Sequence, residues 1–376
     1  MSVDLLYSDV EESLRGSVRS LLSARLTPES VMARYDGGDD HASLWKSLAT
    51  DLGLAALLVP EDRGGAGASA REAAVIMEEL GRRVAPVPYF SSAVLATITL
   101  VEAGETDMLA DLASGERTAA LAVPLSSTAN SLVLTVDASN DHQNSGSHQN
   151  SGSLNGSVTS VADAGTADVF VVPAALPEGG MALYLVDRGA VTVDSVVSFD
   201  MTRPLGDLTF EDAPGIRVAE GKPAAKAVES ALRHGAALLA SEQLGIAQWC
   251  LDTTLEYVKG RYQFGRPIGS YQALKHRLAD LWLEVGTANA AARYAADCLA
   301  QGSDDTDVAV SVAQAYCSDV AVKAAEEAIQ LHGGIGMTWE HPVHLYLKRA
   351  KADQIAMGTP DQHRAHLAEL LDLPAS

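Results

Sequence analysis

The sequence predicts an α+β multidomain protein with an N-terminal α-helical domain, a middle β-sandwich or barrel domain and a C-terminal α-helical bundle. Two changes of hydrophobic period carry this prediction. Apolar residues recur at helical spacing from about residue 8 to 115, give way to short β-branched runs from about Thr118, and return to helical spacing after Lys222-Pro223. The expected domains are therefore 1–117, 118–221 and 222–376.

In the first segment Leu44, Leu48 and Leu52 lie four residues apart, and Ala73, Ile76, Met77 and Leu80 repeat at three and four, so both stretches present one apolar face. Between them Leu57-Leu58-Val59-Pro60-Glu61-Asp62-Arg63-Gly64-Gly65 is an apolar run stopped by proline and paired glycines, the signature of a connector. In the middle segment Ala119 to Val123, Leu132 to Val136, Val169 to Val172 and Leu183 to Val186 are separated by Ser, Asn, Gly and Asp. Short strands with turns between them follow. His142-Gln143-Asn144-Ser145-Gly146-Ser147 is followed by an identical copy from His148 to Ser153. So polar a unit buries no core and is too short for a solenoid, which makes it an expanded hairpin tip in preference to a pair of metal-ligating histidines. In the last segment Val228, Leu232, Leu239 and Ile246 share a stripe. Further helices are expected from about Gln272 to Ala300, Thr306 to Leu331, His341 to Lys351 and Asp361 to Leu371. Their many alanines permit close packing within the bundle and between subunits.

Composition narrows the function. The formal charge of -22 disfavours nucleic acid and anionic membranes as partners, since both reward clustered Lys and Arg. No apolar run approaches the roughly 20 residues of a membrane-spanning helix. The opening Met1-Ser2-Val3-Asp4 has no basic or apolar leader character, and a cytoplasmic location is expected. Cys250, Cys298 and Cys317 stand singly within helical patterns, as buried thiols do in a reducing compartment. No metal site is expected.

Two segments point to chemistry. Arg261-Tyr262-Gln263-Phe264-Gly265-Arg266-Pro267-Ile268-Gly269 sets a guanidinium and an aromatic ring beside a small-residue turn, which suits one end of a dinucleotide because Arg forks onto phosphate oxygens. About seventy residues on, Gln330-Leu331-His332-Gly333-Gly334-Ile335-Gly336 lets backbone approach a ligand closely. Both are expected on helical segments.

Their spacing and order resemble the acyl-CoA dehydrogenase family. The resemblance runs almost unbroken from Val228 to the C-terminus, through Tyr271-Gln272, Lys348-Arg349-Ala350-Lys351 and Gln354-Ile355-Ala356-Met357-Gly358-Thr359. It holds too at Leu52-Gly53-Leu54, Val59-Pro60-Glu61, Gly64-Gly65 and Glu78-Glu79-Leu80-Gly81-Arg82, and only in outline in the middle third. It implies a three-domain helix, strand, helix layout, FAD as cofactor, an acyl-CoA thioester as substrate and electron-transfer flavoprotein as electron acceptor. It also implies that Arg261, Phe264, Gln272, Gln330, Gly333, Gly334 and Thr359 contact flavin, with the Gln330 to Gly334 run reaching across a subunit boundary.

The family removes the α-proton of the thioester with a Glu while the β-hydrogen leaves as hydride to flavin. At the position where many members carry that Glu, this chain has Met357, a thioether with negligible basicity. A second group of relatives places the base on the helix before the Arg261 motif, and the matching residue here is Gly235. The nearest carboxylates on that helix are Glu229 and Glu242, roughly two turns away on either side at about 1.5 Å per residue. Glu242 is the least poor candidate for a relocated base. Glu340 has the place of a helix-entry or capping residue, and His332 and His341 that of structural hydrogen bonders. Lys348, Arg349, Lys351 and Arg364 are the candidate basic patch for the polyanionic CoA. In the middle domain, the family's Thr-Glu-Pro segment is replaced by Ala122-Val123-Pro124-Leu125-Ser126-Ser127, and its Trp-Ile-Thr by Ser160-Val161-Ala162 after Leu154-Asn155-Gly156.

Three readings follow. The chain most resembles the degenerate smaller subunit of actinobacterial heteromeric acyl-CoA dehydrogenases of lipid or steroid catabolism, paired in a heterotetramer with a homologous subunit that carries the base. Alternatively it is a homotetrameric or homodimeric dehydrogenase with a relocated base, or a protein of the same fold that binds flavin or acyl-CoA for another activity.

Overall fold

The structure, a computed structural model, describes residues 5–38, 41–139 and 151–373. Six α-helices come first: α1 (Asp9–Arg25), α2 (Pro28–Ala33), α3 (Ala42–Lys46), α4 (Ala70–Gly81), α5 (Thr97–Ala103) and α6 (Asp107–Ser114). Seven strands follow: β1 (Ala119–Leu121), β2 (Val136–Ser139), β3 (Ser151–Ala162), β4 (Val169–Ala175), β5 (Met181–Asp187), β6 (Thr192–Val196) and β7 (Leu205–Glu220). Helix α7 (Lys222–Gly260) leads to a small hairpin of β8 (Tyr262–Gln263) and β9 (Arg266–Pro267). Helices α8 (Gln272–Gln301), α9 (Thr306–His332), α10 (Val343–Asp353) and α11 (Pro360–Leu370) complete the chain. The helix, strand, helix order is the one the sequence predicts. By compactness the chain divides into two units, one of residues 1–40, 70–86 and 236–376, the other of 41–69 and 87–235.

In the second unit, β4, β2, β3, β7 and β5 pair in turn, and β5 pairs back onto β4, so the strands close into a barrel. Closure leaves no free edge in that ring, the usual remedy for exposed backbone donors and acceptors. β1 adds parallel to β4, and β6 antiparallel to β7. Inside lie Leu154, Phe170, Tyr184, Leu208 and Phe210. Gly156 is indispensable to the seam between β2 and β3. Its φ is +136°, and a Cβ there would stand 2.3 Å from the Thr135 carbonyl oxygen.

The strand forecast needs two corrections. Of Leu132 to Val136 only Val136 enters a ladder; Ser131 to Thr135 precede β2 outside any strand. Strands β3, β6 and β7 were not foreseen, because β3 is rich in Ser and Gly and buries alternate residues thinly, whereas β7 owes its 16-residue length to partners on both sides. Of the tandem repeat, Ser151 to Ser153 begin β3, with Ser153 opposite Ser139. The rest of both copies lies outside the described residues.

In the other unit two glycines set the packing. A Cβ at Gly81 of α4 would meet the Glu242 carbonyl oxygen at 2.2 Å, and one at Gly245 of α7 would meet that of Glu78 at 2.1 Å. Here α4 and α7 touch through their backbones, a contact any larger side chain would force apart. Beside them is a buried ionic cluster in which Glu11 accepts from Arg293 Nη2 at 2.8 Å and from Arg71 Nη2 at 3.1 Å. Burial alone would raise the Glu11 carboxyl, but the bonds from Arg71, Ser8 and Arg293 outweigh it and bring it down to about 2.

Candidate functional site

The Arg261 motif is a hairpin, not part of a helix as the sequence reading supposed. Helix α7 ends at Gly260, the Arg261 N–H still donates to the Tyr257 carbonyl at 2.9 Å, and the chain then reverses through β8 and β9. Gln263 pairs with Arg266, so only Phe264 and Gly265 form the loop, with φ of +52° and +77°. A two-residue loop with both φ positive is the type I′ arrangement, which suits the right-handed twist of the strands. Glycine adopts it without strain. A phenylalanine does not, and a non-glycine held there costs about 1 to 3 kcal/mol. Phe264 is also 92% exposed, so no packing within the chain offsets that cost. The guanidinium of Arg266 lies 3.8 Å over the Tyr271 ring and braces the hairpin from the other strand.

Gln330 lies in the last turn of α9, and Gly333 ends the helix at φ +63° with its N–H donating to the Gln330 carbonyl. Neither Gly333 nor Gly334 has an atom within 4 Å of where a Cβ would stand, which leaves bare backbone facing open space. The two motifs are joined by stacked rings. Tyr257 stacks on His332 at 4.4 Å, and His332 lies 4.3 Å from His341. His332 donates from Nδ1 to the Ala328 carbonyl at 2.7 Å, the structural role expected of it. Arg261, Phe264, Gln272, Gln330, Gly333 and Gly334 are all exposed on this one unit.

Helix α10 corrects the reading of Glu340. The helix begins at Val343, whose N–H donates to His341 Nδ1 at 3.3 Å, while Glu340 is exposed and caps nothing. Burial, helped by neighbouring His332, lowers His341 to about 4, so it accepts that bond as a neutral imidazole.

The turn holding Met357 is tightly held. Met357 has a φ of +54° and is 1% exposed, and Gly358 follows at +96°. Gln314 Nε2 donates to the Ala356 carbonyl at 3.0 Å, and His363 Nε2 to that of Met357 at 2.8 Å. The Thr359 hydroxyl accepts from the Gln362 N–H at 3.3 Å and caps α11. Glu242 is 2% exposed and meets Arg349 Nε at 2.8 Å, with Arg349 itself 3% exposed. That guanidinium also donates to the Ala85 carbonyl at 3.2 Å. With both partners buried, the arrangement is that of a structural ion pair.

The proposed basic patch is likewise engaged. Arg349 pairs with Glu242, Lys351 with Glu326 at 3.0 Å, and Arg364 with Asp319 and Asp361, while Lys348 Nζ sits 4.1 Å over both the Tyr35 and Trp339 rings. These four are therefore not a free cationic surface.

In the other unit, an open cleft of about 740 Å³ is lined by Leu132, Leu134, Met181, Lys222, Val228 and Leu232, among others. The alternation Leu132-x-Leu134, read from sequence as a strand, forms a cleft wall instead. Glu229 also lines it, ion-paired at 2.6 Å with Arg233. Leu232 is within one helical turn of Gly235. Sequence reasoning passed over this cleft because its lining comes from three distant stretches of chain.

Ala122 and Val123 are buried, at 3% and 4% exposed. Asn155 and Asp212 hold each other, with Asn155 Nδ2 donating to Asp212 Oδ1 and the Asp212 N–H to Asn155 Oδ1, both at 2.9 Å. At the Trp-Ile-Thr position, Ser160, Val161 and Ala162 present no aromatic surface. The exposed hairpin and glycine turn leave a guanidinium and bare backbone open on one unit. Among the described residues no group of three or more His, Cys, Asp or Glu side chains is placed to hold a metal, and no helix is long and apolar enough to cross a membrane.

A closed strand barrel in one unit and, in the other, a helical bundle that carries an arginine hairpin and a Gly-Gly turn are features of the acyl-CoA dehydrogenases. Residues 8–116 match the acyl-CoA dehydrogenase N-terminal domain and residues 225–371 the C-terminal domain. This chain belongs to that family. It is 33% identical over 362 residues to the acyl-CoA dehydrogenase IpdE2 of Mycolicibacterium smegmatis, covering 96% of this chain and 98% of that one. Among solved structures it resembles a chain of the ChsE4-ChsE5 complex from Mycobacterium tuberculosis, with a TM-score of 0.84, 27% identity and full coverage of both chains. It also resembles a chain of the Tcur3481-Tcur3483 steroid ACAD, with a TM-score of 0.83, 26% identity and coverage of 97% and 98%.

Proposed function

We propose that this chain is the base-less, flavin-contacting subunit of a heteromeric acyl-CoA dehydrogenase, partnered by a homologous subunit that carries the catalytic carboxylate. FAD, when bound at the interface, supplies the hydride acceptor. The residues of this chain hold it: Arg261 pairs with pyrophosphate, Phe264 packs its exposed ring on the cofactor or the partner, and Gln272, Gln330 and the bare backbone at Gly333 and Gly334 complete the contact. The observation that carries this reading is the strained, 92% exposed Phe264 beside Arg261, a side chain that has no packing of its own to justify its conformation.

The lack of a base supports the same assignment. Met357 and Gly235 cannot accept a proton, and Glu242 is held by Arg349. The resemblance to chains of the ChsE4-ChsE5 complex and of the Tcur3481-Tcur3483 enzyme accords with a pairing of unlike subunits. The 740 Å³ cleft next to Gly235 is the candidate acyl-CoA site, its apolar lining suited to an acyl or pantetheine chain and Lys222 to a phosphate. Electron-transfer flavoprotein is the expected acceptor from the assembled enzyme.

The test is co-purification of the native complex with its flavin-to-chain ratio, followed by dye reduction with acyl-CoA. A second chain and flavin bound only in the complex are expected. Robust dehydrogenation by this chain alone would overturn the assignment. One observation favours that second reading, a self-sufficient enzyme with a relocated base: Glu229 lines the cleft, which makes it a better candidate than Glu242. In that case Glu229→Gln would abolish the activity of the single chain.

A further inference from the structure

The Gly333-Gly334 turn belongs to a short excursion of the chain that two imidazoles close at its base. Residues 333–340 lie between His332, the last residue of α9, and His341, two residues before α10, and of them only Gly336 is buried. Gly336 packs back on the helix end: a Cβ there would stand 2.6 Å from the Ile329 carbonyl oxygen and 3.0 Å from His332 Cβ. Across the base the rings of His332 and His341 lie 4.3 Å apart. Tyr257 stacks on His332 at 4.4 Å, and its carbonyl accepts from the Arg261 N–H at 2.9 Å. The same contact therefore reaches the start of the Arg261 hairpin.

This base makes no provision for charge. His332 is 3% exposed; its Nδ1 donates to the Ala328 carbonyl, and its Nε2 is buried without a hydrogen-bond partner among the described residues. His341 uses Nδ1 to accept from the Val343 N–H. Beside Trp339, His344 has both ring nitrogens buried and without partners among the described residues. The other ionisable groups at the cluster are Tyr257 of α7, Tyr35 of the turn at 34–36, and Lys348 of α10, whose Nζ lies 4.1 Å over the Tyr35 and Trp339 rings. Lys348 and His341 oppose a proton on His344, His332 opposes one on His341, and among the described residues no carboxylate acts on any of the three. A proton taken up here meets burial and like charge and gains no counter-charge.

We propose that His332 and His341 are positioning residues: while neutral they clasp the base of the 333–340 segment and hold the Gly333-Gly334 turn and the Arg261 hairpin in one arrangement, and on taking up protons they part and release the turn. Given the flavin-holding role proposed above, on which this inference rests, the complex holds flavin near neutral pH and sheds it in acid. Linkage sets the direction. In the closed arrangement burial lowers His332, and burial with His332 nearby lowers His341 to about 4, whereas rings released into water titrate near 6.5. The open arrangement binds more protons, so opening is favoured as pH falls from about 6.5 toward 4. For one ring that moves between these values, opening is favoured roughly thirtyfold more at pH 5 than above pH 7.

Two measurements test the clasp. In the full chain alone, hydrogen exchange is followed at the amides of residues 333–343, each rate divided by its intrinsic chemical rate at the same pH. Protection there should fall between pH 7 and pH 5 while that of α8 holds. His332→Phe keeps a ring to stack on Tyr257 and cannot take a proton, and His341→Asn keeps an acceptor for the Val343 N–H. Each should remove most of the fall, by roughly thirtyfold at pH 5 for His341→Asn. In the native complex, FAD affinity read by flavin fluorescence should weaken over the same interval in the parent and stay nearly level in both variants. A merely structural role would shift exchange and affinity by the same factor at every pH. Variant profiles parallel to the parent's, with or without such an offset, would overturn the inference, as would loss of α8 protection together with that of the turn. A native complex without flavin at any pH would instead overturn the proposed function, and exchange in the single chain would then decide the clasp by itself.

Discussion

At the scale of single residues, Arg261, Arg349 and Met357 separate assembly, stability and chemistry. The Arg261 guanidinium is exposed in the chain, and on the proposed assignment its partner is flavin held at an interface. Arg261→Ala should therefore leave the melting temperature of the single chain unchanged yet strip flavin from the complex, because truncating a desolvated charge partner costs about 2 to 5 kcal/mol. Full flavin absorbance in the purified variant complex would remove Arg261 from that role. Arg349 belongs to a pair already desolvated in the chain itself. Arg349→Met leaves Glu242 buried without its counter-charge and should lower the unfolding free energy by about 3 to 5 kcal/mol in urea titration. Met357→Gln should change the activity of the complex little. Met357→Glu should not restore dehydrogenation to the single chain, although general-base catalysis is typically worth about 10² to 10⁴ in rate and even partial recovery would register in a dye assay. On the proposed assignment the flavin ring is held mainly by the partner subunit, so a new carboxylate in the single chain would have no hydride acceptor beside it.

At the scale of elements, the start of α10 and the segment between β2 and β3 make opposite predictions. His344 stands edge-on to Trp339 at 4.5 Å, with both ring nitrogens buried and without hydrogen-bond partners among the described residues. Burial, with Lys348 and His341 nearby, lowers it to about 4, and His341 is lowered to about 4 as well. In the unfolded chain both imidazoles bind protons near 6.5. The unfolded state therefore holds more protons between these values, and stability is lost as pH falls from about 6.5 toward 4. His344→Phe keeps the ring contact and removes the titration, so its melting temperature should fall less between pH 7 and pH 5 than that of the parent. Equal slopes would show that His344 does not titrate with folding. The segment between β2 and β3, by contrast, should tolerate change. The copies of its repeat are identical, so deleting either yields the same chain, with the residues that begin β3 retained. Loop length changes closure entropy by only about 0.6 kcal/mol per doubling, and the deletion should move the melting temperature by no more than a few degrees.

At the scale of the whole molecule, the order of helices, strands and helices was legible from hydrophobic period alone. Helix boundaries such as Gln272 and Thr306 were legible too, since amphipathic repeats and turn residues are local signals. The motif at Arg261 and the methionine at position 357 could also be read directly, because both are statements about residue identity. Tertiary structure decided what depends on distant neighbours. It made Leu132 and Leu134 a cleft wall instead of a strand, drew Glu242 onto Arg349 while leaving Glu229 at the cleft, and closed the barrel through β3 and β7, whose glycine-interrupted sequences carry little β signal of their own. It also turned the Arg261 motif into a hairpin with Phe264 in a left-handed conformation, which residue preferences alone would not choose. The division has a physical cause: periodicity and side-chain chemistry are properties of a short stretch, whereas the state of a carboxylate, the wall of a cavity or the partner of a strand is set by atoms that only the folded chain brings together.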